Sequence, residues 1–486
     1  MAAASAYGRA GGGGGFHGGG GGGGGGGGWG GGGFGGGGGF GGGGGGSFSP
    51  QALFLFILIV IVVVVVRYAI NAMNESEETP RGPVSLPDDL PDSEARIVNA
   101  LQAVDPAFDA DVFHARVTTA FLKIQTAWSD QNLDSVRPFI SDGIHERFSL
   151  QFLEQKQAGY RNRMSSVFVR SVKISSLVCE GGNDVATVHI IASAVDVDES
   201  LVGGKILRGN GASEEFAEYW TFVRRRGTVT VAGKQGLIEG HCPNCGIEVK
   251  INAGAKCPAC QALLRAGEYD WVLAEIIQES EWAVERVSDR PGIAEVVHRD
   301  RNFCFVDLED RASVMFWRRA MADRIGKADA IRKISTRQYV VAYERLLAAQ
   351  VGRRDFWGDR AVGAARLLGV FAADAPGQME RAVVHIRWEG GKFEVDAEGR
   401  IHAVAERQKF ISLYVLGRKS GTLTQPGQGL SSAHCPNCGG PMTIDTANSC
   451  EFCGAIFDES SGGWMLMDVT AMASDEGRLL MARLRR

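Results

Sequence analysis

The sequence lacks the short patterns that would mark common chemistries. Its 486 residues contain no nucleophile motif, no phosphate-binding loop and no H-E-x-x-H pair, so no local signal assigns an enzyme class. Positive charge is not in excess either: 51 Lys and Arg face 56 Asp and Glu, a formal net charge of −5. Only two of the ten cysteines, Cys179 and Cys304, stand outside C-x-x-C pairs, and both sit in apolar surroundings. They read as small buried hydrophobes rather than reactive thiols. The long apolar run has no basic region just before it and no small-residue cleavage site after it, which argues against a cleaved signal peptide. Paired C-x-x-C without such a peptide points to metal in a reducing compartment, not to a disulfide framework.

What is present divides the chain into unlike parts, and its length calls for two or three domains. Before residue 50 lie 32 of the 68 glycines, interrupted by Phe16, His17, Trp29, Phe34 and Phe40. Such a stretch has no side chains with which to bury a core, so residues 1–50 are expected to be a disordered tail. "ALFLFILIVIVVVVVRYAI" follows, with 15 uninterrupted apolar residues before Arg67. A snorkelling Arg67 extends it, and residues 51–70 are expected to form one transmembrane helix. Arg9 alone precedes the span while Arg67 and Arg81 follow it. The positive-inside rule then gives a single-pass protein whose large C-terminal part is cytoplasmic. Residues 71–94, acidic and rich in proline, read as a linker.

Residues 95–238 form the first globular unit. Phe113, Val117, Ala120, Phe121, Ile124 and Trp128 recur at helical spacing, with Asp109 or Asp111 placed to cap the helix start. Further helices are expected over residues 134–139 and 144–157. After Asn162 the period changes to that of strands, with turn signals at Gly181-Gly182-Asn183-Asp184 and Gly209-Asn210-Gly211. Helices followed by an antiparallel meander give an α+β layout. "DPAFDADVFHARVTTAFLKIQTAWSDQNLDSVRPFIS", followed by "EYWTFVR", resembles the domain shared by the mitochondrial import inner-membrane translocase subunit 44 family and its bacterial relatives, over about residues 95 to 235. The resemblance implies a cone-like fold akin to nuclear transport factor two, with helices and a curved sheet around an apolar pocket, close to a membrane. The motor-binding region of the mitochondrial protein has no counterpart here, so a role in protein import is not implied.

The strongest pattern occurs twice. Cys242, Cys245, Cys257 and Cys260 form C-x2-C-x11-C-x2-C, and Cys435, Cys438, Cys450 and Cys453 repeat it 193 residues on; each copy opens with HCPNCG and has a Trp eleven residues past its last Cys, Trp271 and Trp464. Four thiolates close a tetrahedral site, so two structural Zn²⁺ ions are expected, with His241 and His434 as surface or supporting residues. The segment from His434 to Trp464 has no Lys or Arg, which leaves it without the basic face that nucleic acid requires. No nucleic-acid partner is expected.

The repetition predicts two cone-like α+β domains, each followed by its own ribbon: ribbons at residues 239–280 and 426–470, a second, diverged domain at 281–425, with a turn at Gly390-Gly391, and a basic tail at 471–486. The strands after Trp271 and Trp464 are expected to return to a neighbouring domain. The tail carries Leu480 and Leu484 beside arginines and reads as a helix with cations in its last turn, or as a segment lying on an anionic membrane. His114, His145 and Asp196 are the candidates for a pocket enzyme, and His189 and His385 are a repeated strand pair. The favoured function is a membrane-anchored, non-enzymatic scaffold that binds membrane lipid, another apolar ligand or a protein partner.

Overall fold

The computed structural model describes residues 93–249, 256–264, 267–282, 290–350, 354–373, 378–425, 429–458 and 463–485. The glycine-rich tail, the membrane span and nearly all of the linker expected from the sequence lie outside these. Among the described residues no helix is long and apolar enough to cross a membrane.

The first half opens with α1 (Ser93–Val104) and α2 (Ala110–Asp130). Asp109 caps α2, its side chain accepting from the Val112 N–H at 3.0 Å. All six residues of the apolar stripe read from the sequence are buried. The helix expected over residues 134–139 is only a 3-10 turn, Arg137–Phe139. The Asn132 side chain takes the Asp134 N–H at 2.9 Å, and Pro138 has no N–H to continue a ladder. Next, α3 (Asp142–Gln157) starts at Ser141, whose hydroxyl caps the Ile144 N–H at 3.3 Å.

Four long strands and a short one follow: β1 (Tyr160–Glu180), β2 (Asn183–Ser200), β3 (Ile206–Arg208), β4 (Ser213–Arg225) and β5 (Val272–Gln278). The sheet is antiparallel in the order β1-β2-β4-β5, with β3 paired to the end of β2. Gly181 and Gly182, at φ 53° and 73°, make the tight β1–β2 turn, the backbone that favours a two-residue hairpin loop. Inside, Phe121 meets Trp220 at 5.2 Å between ring centroids and Trp128 meets Phe148 and Phe152 at 5.3 Å. Aromatic side chains thus pack between helices and sheet.

The second half runs through the same succession: α4 (Ile293–Arg299), α5 (Phe305–Ile325), the one-turn α6 (Asp329–Arg332), α7 (Arg337–Ala348), then β6 (Arg354–Phe371), β7 (Met379–Val395), β8 (Ile401–Lys419) and β9 (Met465–Ala471) in the sheet order β6-β7-β8-β9. It closes with α8 (Asp475–Leu484). The expected turn at Gly390-Gly391 does not form, because β7 runs straight through both glycines with a register shift against β8. A Cβ on Gly390 would come within 3.0 Å of the Gly358 carbonyl, so the glycine serves a close strand approach rather than a reversal. Leu484 of α8 is buried against Val383 and Leu413. That contact makes the tail part of the fold and takes this leucine away from any membrane.

Each ribbon lies between the third long strand of a sheet and its last. β5 pairs with β4, and β9 with β8. The strand after each ribbon therefore returns to the α+β domain beside it, and the sheet it joins is the one that precedes the ribbon.

The halves meet through α3 and α5. Arg318 donates to Glu146 at 2.9 Å, Arg324 to Glu154 at 3.2 Å, and Arg366 of β6 to Glu275 of β5 at 2.6 Å. At Gly143 an added Cβ would lie 2.4 Å from Asp310 Oδ1, which takes the Gly143 N–H at 2.9 Å.

Candidate metal centres and the locks beneath them

Every knuckle of the two ribbons is built in one way. The N–H groups of Cys242, Cys257, Cys435 and Cys450 each donate to the carbonyl five residues on, at 2.7–2.8 Å. The residue after the second Cys of each pair then takes a left-handed backbone: Gly246, Gln261, Gly439 and Gly454, at φ 60–77°. Glycine meets this at three of the four positions without a Cβ penalty.

The result gathers the sulfurs. Within each group of four the Sγ atoms all lie within 4.8 Å of one another. Cys242 to Cys260 is 3.7 Å, Cys245 to Cys257 is 3.8 Å, and Cys435–Cys453 and Cys438–Cys450 are both 3.7 Å. Four sulfurs at about 2.3 Å from a common zinc stand about 3.8 Å apart in a tetrahedron, so the donors fit the ion and leave no open position for substrate. The N–H groups of Ala262 and Ala455 bring the Cys260 and Cys453 thiols down to about 6, while burial pushes Cys242 and Cys435 up to about 12. The eight cysteines named from their spacing are the eight that the fold brings together.

Beneath each ribbon sits a buried cluster that sequence reading missed. In the first half Asp105, at the end of α1, takes Arg224 Nη1 at 2.8 Å, the Thr230 N–H at 2.9 Å and its hydroxyl at 2.6 Å. The Arg224 guanidinium lies 4.5 Å from the centre of the Trp271 ring. In the second half Asp300 takes Arg418 Nη1 at 2.9 Å and the Thr424 N–H and hydroxyl at 2.9 and 2.7 Å, and Arg418 lies 4.6 Å over Trp464. The Trp eleven residues beyond each ribbon is thus the plate on which a buried arginine stacks. Each lock joins a helix end, the third long strand, the segment leading to the ribbon and the segment leaving it.

The ribbons are also held from the sides. Arg116 of α2 grips Glu239 and Asp270, which flank the first ribbon, at 2.7–3.2 Å. His434, buried and not a surface residue, pairs through Nδ1 with Asp142 of the first half at 2.7 Å, and Asp142 also takes the Ala433 N–H at 2.7 Å. Lys333 reaches Asp445 at 2.7 Å, and Arg318 reaches the Met442 carbonyl at 3.0 Å. The second ribbon is therefore fastened to both halves.

Two of the candidate catalytic residues, His114 and Asp196, are held apart. His114 bonds Glu94 at 2.8 Å, and the same carboxylate takes the Ile174 N–H. Asp196 accepts from Asn162 and pairs in register with Met164. Ile174 stands opposite Val188, so the two groups are separated by eight residues of β2, about 26 Å of strand. His145 lies in the first turn of α3. His189 and His385 occupy matching register positions, five residues after the acid opposite each lock arginine. His189 bonds Glu279 at 3.1 Å and stacks on Tyr219, and burial, with Arg387 nearby, pulls His385 down to about 3.

Comparison with known families places a match on the first half. The family model described as the Tim44-like domain matches residues 94–234, within a residue of the stretch on which the resemblance rests. The match ends before the first ribbon, whereas the sheet it belongs to is completed by β5 beyond that ribbon. No curated protein matches the chain.

Proposed function

Starting from a Tim44-like domain in the first half, we propose that this protein is a membrane-anchored, non-enzymatic scaffold that meets lipid through exposed apolar surface, with its two modules stiffened by structural zinc. One observation carries the choice of surface. At the β2–β3 hairpin, Val202 is 85% exposed, and Leu201, Ile206 and Leu207 are exposed beside it, with Lys205 between them. Apolar side chains that protrude with a cation suit an anionic interface. Aromatic rings pack between the helices and sheet of the first half, which favours binding at the surface over binding in a pocket. The matched locks and the shared order of helices followed by four long strands support a tandem repeat of one α+β unit with an inserted ribbon. Closed four-sulfur sites favour zinc as a clip rather than a catalyst.

Native mass spectrometry of the full-length protein released from detergent, with and without chelator, tests this reading. Two zinc ions with retained lipid, and less retained lipid but unchanged zinc in Val202→Asp/Leu207→Asp, are expected. A retained peptide in place of lipid, or lipid retention unaffected by the double substitution, refutes the assigned surface.

A further inference from the structure

One arginine is treated differently in the two halves. Arg116 stands eleven residues after Asp105, and Arg311 stands eleven after Asp300. The ribbon flanks also align, "GLIEGHCPNCG" with "GLSSAHCPNCG" and "EYDW" with "SGGW", which puts Ser432 in the place of Glu239 and Gly463 in the place of Asp270. Arg116 makes four hydrogen bonds to those two carboxylates. Among the described residues Arg311 keeps one bond, from Nε to the Trp464 carbonyl at 2.5 Å. No carboxylate of the described residues forms an ion pair with it.

Space stands where the carboxylates were. Arg311, Pro436 and Gly463 line two cavities, of about 210 Å³ and about 100 Å³, each many times the roughly 10–15 Å³ that one water needs. A Cβ built on Gly463 falls 3.0 Å from Arg311 Nη2, so the missing side chain is one that would have reached the guanidinium. Ser431 lines the smaller cavity, is 9% exposed, and its Oγ has no hydrogen-bond partner. Lys256, from the first ribbon, lines the same cavity together with Lys333, which already holds Asp445. The acid in the larger cavity, Asp307, is pushed up to about 7 by burial.

We propose that the space around Arg311 is a binding site for a phosphate group, a dianion that takes the place of the two carboxylates closing Arg116 in the first half. The guanidinium fork matches two phosphate oxygens. Ser431 Oγ donates to a third, and Lys256 adds charge. The phosphate is either free in solution or the phosphomonoester headgroup of a lipid. This site rests on the contrast between the halves and not on the hairpin surface proposed above.

The test titrates the full-length protein in detergent, by calorimetry, with inorganic phosphate and separately with mixed micelles of phosphatidic acid or phosphatidylcholine. Arg311→Gln removes the fork. Ser432→Glu/Gly463→Asp rebuilds the carboxylates of the first half and leaves Arg311 ion-paired, so its zinc content and melting temperature should match those of the wild type. Saturable one-to-one binding that weakens about tenfold or more in both variants is expected, the loss of charged hydrogen bonds being of that order. Tighter binding to phosphatidic acid than to inorganic phosphate assigns the lipid source; equal or weaker binding assigns free phosphate. Absence of saturable binding to the wild type by either probe overturns the site, as does binding that survives Ser432→Glu/Gly463→Asp unchanged.

Discussion

Replacing Asp105 by Ala should destabilise the protein more than replacing Asp300, although the two residues hold equivalent places. Asp105 and Arg224 are 1% and 2% exposed, and Asp300 and Arg418 are 1% each. Arg224 has Asp105 as its salt-bridge partner, and its Nε and Nη2 are buried without hydrogen bonds. Arg418 is also bound by Glu380, at 2.6–2.7 Å. Removing Asp105 orphans a buried cation and two Thr230 donors, at a cost of about 3–5 kcal/mol. With Glu380 still in place, Asp300→Ala loses mainly the Thr424 bonds and one charged contact, about 2–3 kcal/mol. Burial alone would raise the Asp105 carboxyl, but the Thr230 hydroxyl and N–H, with Arg224, hold it below its usual value. A depressed carboxylate contributes stability that is present above the unfolded value near 4 and is lost as pH falls through the folded one. The difference between wild type and Asp105→Ala should therefore shrink below about pH 4. Urea unfolding followed by tryptophan fluorescence, with Trp271 and Trp464 inside the locks, measures both variants. The double change Asp105→Ala/Arg224→Met should recover part of the loss, since it removes the orphaned charge. Equal small costs for the two single variants, below about 1 kcal/mol, would refute the locks as anchors, and a larger cost for Asp300→Ala would refute the compensating role of Glu380.

Three further outcomes are expected. Gly454→Ala places a Cβ at φ 72° with nothing within 4 Å, so its cost is backbone strain alone, about 1–2 kcal/mol, read as a lower melting temperature; Gln261→Gly, at φ 60°, relieves the same strain and should not lower it. Asp310 is pushed up to about 8, chiefly by burial, against the Ser141 bond and with the Asp142 charge, and Glu180 goes up to about 8 by burial and the Glu309 charge. The folded state then binds more protons than the unfolded one between about pH 4 and pH 8, so stability falls as pH rises through that window; Asp310→Asn should raise the melting temperature at pH 8 and leave it nearly unchanged at pH 4. Cys257→Ser and Cys450→Ser should each cost one zinc ion per chain, measured by metal analysis, with the other site retained.

Local signals made much of this structure legible, and distant ones hid the rest. The α2 stripe from Phe113 to Trp128 and the eight cysteines were readable because helical period and knuckle spacing are local. Which sheet β5 and β9 join was not, because pairing partners across insertions of 46 and 45 residues leave no mark in composition. Gly390-Gly391 misled because a strand glycine and a turn glycine look alike without knowledge of the strand beside it. The locks were hidden by separation: Asp105 and Arg224 are 119 residues apart. Yet D-x-x-F at Asp105 and Asp300, followed by matching Arg, Thr and Trp positions, was present twice, and a comparison of the halves residue by residue would have found it.

Zinc X-ray absorption on the full-length protein, with metal quantified per chain, bears most directly on the paired, closed ribbons. Two zinc ions, each with four sulfur neighbours at about 2.3 Å, are predicted. Fewer than two ions, or a nitrogen or oxygen ligand in the coordination shell, would contradict a pair of closed structural clips.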